Sequence, residues 1–178
     1  YGHSHVIRVV LGPQDSNFTS DAINTFFDSR YVVTNNSDRT GYRLAGPSLK
    51  HQQTADIISD GTQIGSIQVP ADGNPIILMS DRGPTGGYAK IGTIITSDLG
   101  FIAQSRPGDN LVFRQVSVKE AETAFIEQES ILHSIDPSLF INASDQFKER
   151  LVQTHSSLSE YPKDETDKLK RIATANIR

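Results

Sequence analysis

A mainly β fold, closed into a small barrel with short helices and followed by a C-terminal helical appendage, is the architecture that this 178-residue sequence predicts. Three observations carry that expectation. Short apolar runs recur too closely for a repeating strand–helix–strand design, and closing a mainly antiparallel sheet gives both its faces and its edges a stable place. All 13 glycines precede Ser117, which concentrates tight turns in the first part of the chain. Beyond Ser117 the composition turns to Glu, Asp, Lys, Gln and Ala, which suits helices. The expected division is therefore a barrel over residues 1–118 and a helical, partner-packing tail over 119–178.

Residues 6–11 read as the opening strand, ended by the turn Gly12-Pro13-Gln14-Asp15. Thr19 or Ser20 caps a short helix whose apolar side is Ile23, Phe26 and Phe27. Further strands are expected over 31–34, 42–44, 64–69, 76–80, 91–96 and 111–116. Leu99, Phe101 and Ile102 belong to a short crossover before the turn Arg106-Pro107-Gly108-Asp109. Ser117-Val118-Lys119-Glu120 has the spacing of a capping box, and Ala121, Ala124, Phe125, Gln128, Ile131, Leu132 and Ile135 continue it as a helix that ends at Pro137. Phe147, Leu151 and Leu158 mark a second helix, and Leu169, Ile172, Ala173 and Ile177 a third, joined at Tyr161-Pro162-Lys163.

Composition narrows the function classes. Seventeen Lys and Arg are dispersed among 21 Asp and Glu, leaving a net charge of −4 and no basic stripe of the kind nucleic-acid backbones require. The absence of Cys removes disulfides, thiol nucleophiles and cysteinyl metal sites. His3 and His5 lack a third ligand nearby, so no metal is expected. No apolar segment approaches a membrane span and no signal peptide opens the chain; cytoplasmic residence is the expectation, and the start without Met suggests a processed or trimmed fragment.

Polar islands between the apolar runs are the candidate site. Arg39 and Arg82, each beside an Asp (Asp38, Asp81), present planar hydrogen-bond forks to a carboxylate or carbonyl oxyanion, or else are solvated ions at surface turns. Gln68 can donate and accept together, which suits a lactam or urea-like amide, or it satisfies a strand edge. Gly86 and Gly87 permit close backbone approach in a turn that also carries Thr85, Tyr88 and Lys90; no phosphate-loop pattern is present. Tyr42 and Tyr88 either add hydroxyls to the site or cover the core.

These segments, in order, resemble the C-terminal half of the family formed by the C subunit of 5-oxoprolinase, also called allophanate hydrolase subunit 2 and including the kinase-inhibitor antagonist KipA. The resemblance is carried by residues 37–47 (SDRTGYRLAGP), 59–62 (SDGT), 65–73 (GSIQVPADG), 75–82 (PIILMSDR), 85–91 (TGGYAKI) and 106–109 (RPGD). It implies a cyclophilin-like barrel within a complex that opens a cyclic amide with ATP. Catalytic roles then fall on Arg39, Asp81, Arg82 and Lys90. Substrate contacts fall on Tyr42, Arg43, Gln68, Thr85, Gly86, Gly87 and Tyr88. The implied partners are the missing N-terminal half, the A and B subunits of 5-oxoprolinase, or a kinase-inhibitor protein, and ATP is implied for the complex more than for this chain. A related domain of urea carboxylases implies biotin-dependent carboxyl transfer as the alternative. Gly83-Pro84 and Ala89 depart from residues frequent at those places in the family.

Overall fold

The computed structural model describes residues 4–134. They fall into two units divided between Glu129 and Ser130; the barrel and the site belong to the first. Nine strands are described, in chain order β1 (Ser4–Leu11), β2 (Arg30–Val33), β3 (Gly41–Ala45), β4 (Asp56–Gly61), β5 (Ser66–Gln68), β6 (Ile76–Leu78), β7 (Thr85–Tyr88), β8 (Lys90–Ile94) and β9 (Asn110–Gln115). Helices α1 (Ser20–Asp28), α2 (Leu99–Gln104) and α3 (Val118–Ser134) complete the regular structure among the described residues, with one-turn 3-10 segments at Asp15–Asn17 and Thr96–Asp98.

Seven strands close the barrel in the order β1-β8-β5-β6-β3-β2-β9. The parallel pairing of β1 with β9, from Ser4↔Asn110 to Val9↔Gln115, makes the closure; every other barrel pairing is antiparallel. The two remaining strands, β4 and β7, form a separate two-stranded ribbon. The expected small β barrel is the fold observed.

Alternation explains the interior. Ile7 and Val9 of β1, Leu44 of β3, Ile67 of β5, Ile77 of β6 and Ile91 of β8 are buried in one core, so their neighbours Arg43, Ile76, Gln68 and Lys90 stand on the outer face. Helix α1 closes one side with Phe26, which stacks on Phe113 at 4.4 Å between ring centres. Thr19 caps α1 by accepting a hydrogen bond from the Ala22 amide at 3.1 Å. Thr19→Ala is expected to cost about 1 kcal/mol in denaturant unfolding, the usual loss for a removed cap. Arg8 of β1 grips Asp98, which is 2% exposed, through its backbone amide, Nε and Nη2, the shortest contact being 2.6 Å. Hydrogen bonding to Asp98 raises the Arg8 pKa further.

Several element boundaries differ from expectation. The strand expected over 64–69 contracts to β5: Gly65 turns the chain with φ +83°, while its amide still bonds to Leu78 O at the end of β6. Strand β4 is an addition; its residues are mostly exposed, so no apolar alternation announces it. The glycine turn expected at 85–88 is strand β7. The capping box forms as expected: the Ser117 amide donates to Glu120 Oε2 at 2.7 Å and the Glu120 amide to Ser117 Oγ at 3.2 Å. Ile135, Pro137 and the two later helices lie outside the described residues. No helix among the described residues is long and apolar enough to cross a membrane.

Candidate functional site

Strand register sorts the expected site residues into two groups. Arg43 pairs with Ile76, Ile76 with Gln68 and Gln68 with Lys90, which sets four adjacent outer-face positions in one row across β3, β6, β5 and β8. At the other end of the β3–β6 pair, where Gly41 meets Leu78, the loops carrying Arg39 and Asp81 depart. Gln68 and Lys90 thus belong to one group, and Arg39 and Arg82 to another at the far end of the β3–β6 pair.

In the group of Arg39 and Arg82, neither guanidinium pairs with the Asp beside it in sequence. Arg39 donates from Nε to Asp81 Oδ2 at 2.9 Å and from Nη2 to Asp81 Oδ1 at 3.1 Å, a two-pronged ion pair in solvent. Asp38 instead accepts from the Thr40 and Gly41 amides, and those bonds, the Gly41 one foremost, lower its pKa. Arg82 donates weakly to the Met79 carbonyl at 3.4 Å, while its Nε is buried without a partner. Since Asp81 occupies the Arg39 fork, an external anion has to displace it first.

The second group is covered by the β4–β7 ribbon. Gln68 is buried, and its Nε2 donates to Tyr88 O at 3.3 Å. A Cβ at Gly86 would collide with the Gln68 amide, so here glycine lets the ribbon lie flat on the barrel. Lys90 is 2% exposed, and its ammonium donates to Asp60 Oδ2 at 2.9 Å. Gln14 Nε2 donates to the same oxygen at 3.0 Å, and Gln14 Oε1 accepts from the Lys90 amide. The Lys90 hydrogen bond, then those from Gln14 and the Gly61 amide, hold the Asp60 carboxyl below its ordinary value of 3.8.

This depression gives a pH prediction. A folded-state pKa below the unfolded one contributes stability that is present above the unfolded value and lost as pH falls through the folded value. The Asp60 carboxyl carbon, followed by NMR, should titrate below 3.8, and Lys90→Met should move its midpoint back up towards that value.

Beside the ribbon lies an open cleft of about 430 Å³. Arg43, Asp72, Asn74, Thr34, Asn36 and Tyr88 supply its polar lining, and Pro70, Pro75 and Ile76 its apolar wall. Asp72 accepts from the Asn74 amide and side chain at 3.0 and 3.1 Å, which fixes that loop. The Arg43 backbone is held by Ser37 Oγ, and its side chain is exposed on the outer face. Of the residues expected to touch substrate, Arg43 and Tyr88 line this cleft. Tyr42 turns the other way, packs against the core and donates to the Ala103 carbonyl at 3.4 Å. Thr85 and Gly87 belong to the ribbon, Thr85 opposite Gly61. Asp60 and Gln14 were not anticipated because their contact joins distant segments, and Asp72 and Asn74 because only the fold sets their loop beside Arg43 and Tyr88. Among the described residues no three His, Cys, Asp or Glu side chains converge as a metal ion would require.

Residues 1–115 match the carboxyltransferase domain, subdomain A and B family. The chain belongs to that family. It is 40% identical over 116 residues to the C subunit of 5-oxoprolinase from Haemophilus influenzae, a match covering 65% of this chain and 38% of that protein. It is 37% identical over 123 residues to the C subunit of 5-oxoprolinase from Escherichia coli, covering 69% and 40%. The crystal structure of the K. lactis urea amidolyase superposes with a TM-score of 0.69 at 26% identity, over 76% of this chain and 9% of that one. The chain thus spans about two fifths of the length of the two curated relatives. The carboxyltransferase-domain match ends at the last residue of β9, and α3 lies beyond it.

Proposed function

We propose that this chain is the barrel portion of one component of an ATP-dependent 5-oxoprolinase complex, and that the cleft beside the ribbon binds the lactam. The observation that carries this reading is the open cleft with Arg43 at one wall and an apolar surface of Pro70, Pro75 and Ile76 at another, within a chain 40% identical to the C subunit of a 5-oxoprolinase. A five-membered lactam with a carboxylate is a small ring with one anionic corner. Arg43 supplies a charge-assisted donor for that corner, and the apolar wall covers the ring. Tyr88 adds a hydroxyl beside the amide, while Gln68 fixes the Tyr88 backbone from beneath. Contacts of this kind accelerate the reaction only where they strengthen as charge develops on the carbonyl.

ATP chemistry is assigned to companion subunits. The glycine-rich stretch that could have cradled phosphates lies as strand β7 with Gly86 packed on the Gln68 amide, an arrangement that does not suit a phosphate loop. The partners proposed are the remainder of the family domain and the A and B subunits of 5-oxoprolinase.

Reconstitution of this chain with those partners tests the reading. ATP-dependent conversion of 5-oxoproline to glutamate is the expected result. Biotin-dependent carboxylation of urea, or binding of a kinase-inhibitor protein without turnover, would replace it with the carboxyltransferase or the regulatory alternative.

A further inference from the structure

The Lys90–Asp60 contact is built differently from an ordinary surface ion pair. Its cation is buried on the barrel, whereas its anion belongs to the ribbon and is half exposed. A buried ammonium requires a counter-charge, and Asp60 is the anion that pairs with it among the described residues. The donors around the Asp60 carboxylate are also pre-set. Gln14 is anchored to Lys90 in both directions, its amide donating to Lys90 O at 3.1 Å and its Oε1 accepting from Lys90 N at 3.1 Å. With Asp60 taken away, Lys90 Nζ and Gln14 Nε2 would still converge on one point from the barrel.

The ribbon has slack where it carries that carboxylate. Its register breaks between Asp56↔Tyr88 and Asp60↔Gly86, so residues 57–59 stand opposite Gly87 alone. Ile57 packs on the core at one end, and the Ala89 amide bonds to Ala55 O there. Towards the tip, Asp60 is tied to the barrel by side chains.

We infer that Lys90 and Gln14 form a receptor for a small carboxylate, that Asp60 is its resident plug, and that an incoming carboxylate opens the ribbon tip by taking the place of Asp60. The exchange swaps one carboxylate for another, so the buried cation is never left unpaired. Opening frees the β4 end from β7 at the tip; Tyr88, paired with Asp56 at the anchored end of the ribbon, stays in the neighbouring cleft. The receptor needs only a carboxylate, and it stands or falls separately from 5-oxoproline turnover.

Hydrogen exchange on the full chain, with sodium chloride replaced by sodium acetate at constant ionic strength, tests the plug. The Thr62 amide, which bonds to Pro84 O between the two ribbon strands, reports separation of the β4 end from β7; the Ile94 and Val116 amides, bonded to Gly65 O and Val9 O, report the barrel. Acetate should speed exchange at Thr62 by about fivefold or more and leave the barrel amides unchanged, while neutral acetamide does nothing. Asp60→Asn should open the tip without acetate. Lys90→Met should abolish the acetate response, and Gln14→Ala, which leaves the buried cation in place, should weaken it by about threefold. An acetate-insensitive Thr62 in the wild-type chain, or equal responses in the wild type and Gln14→Ala, would overturn the inference.

Discussion

Asp98→Ala should be among the most damaging polar substitutions in the barrel, lowering stability by about 3 kcal/mol, near the lower end for breaking a buried charge pair because Arg8 keeps some contact with water. Asp98 accepts from the Arg8 amide, Nε and Nη2 at once, so its removal strands a backbone donor together with a guanidinium. Those bonds join the middle of β1, which pairs with both β8 and β9, to the segment between β8 and α2. The loss should appear as a drop in melting temperature of roughly 10 °C for a domain of this size. Asp98→Asn, which retains one acceptor oxygen, should recover part of it. Equal stability of Asp98→Ala and the wild type in urea unfolding would show that the closure does not depend on this pair.

The second large effect is expected at Arg43. In the reconstituted complex, Arg43→Gln should lower kcat/KM for 5-oxoproline by about 30-fold, the scale of a lost charge-assisted hydrogen bond, with most of the change in KM. Stability should change little, because the Arg43 side chain is exposed while its backbone bonds to Ser37 and Thr34 remain. A lactam without the carboxylate should bind the variant and the wild type alike. Steady-state kinetics with both compounds separates a carboxylate contact from a general loss of folding. The same change at Arg39 should have a smaller effect on KM, since its fork is already filled by Asp81.

How far the molecule could be read from its sequence depended on how local each cause was. Strands β1, β2 and β3 and helix α1 follow from alternation and from the Thr19 cap, both contained within a few residues. The start of α3 was legible for the same reason, since Ser117 and Glu120 satisfy each other across three positions. Strand β4 gave no such signal because its ladder partner is the equally polar β7, and the strand character of Gly86 and Gly87 is imposed by β4 and by the Gln68 amide. The site shows the same division. Arg43 and Tyr88 were legible as polar residues in the right segments, and they meet in the cleft. The partner of Arg39 was not, because adjacency suggested Asp38 whereas the fold brings Asp81 from 42 positions away. Asp60 and Gln14, separated by 46 positions, acquire their role only when the ribbon folds onto β8.

A structure of the assembled complex with 5-oxoproline bound distinguishes the two groups of residues most directly. The carboxylate should lie within hydrogen-bonding distance of the Arg43 guanidinium, with the ring against Pro70, Pro75 and Ile76. A lactam seated instead on Arg39 and Arg82, with Asp81 displaced and the Arg43 cleft empty, would contradict the account.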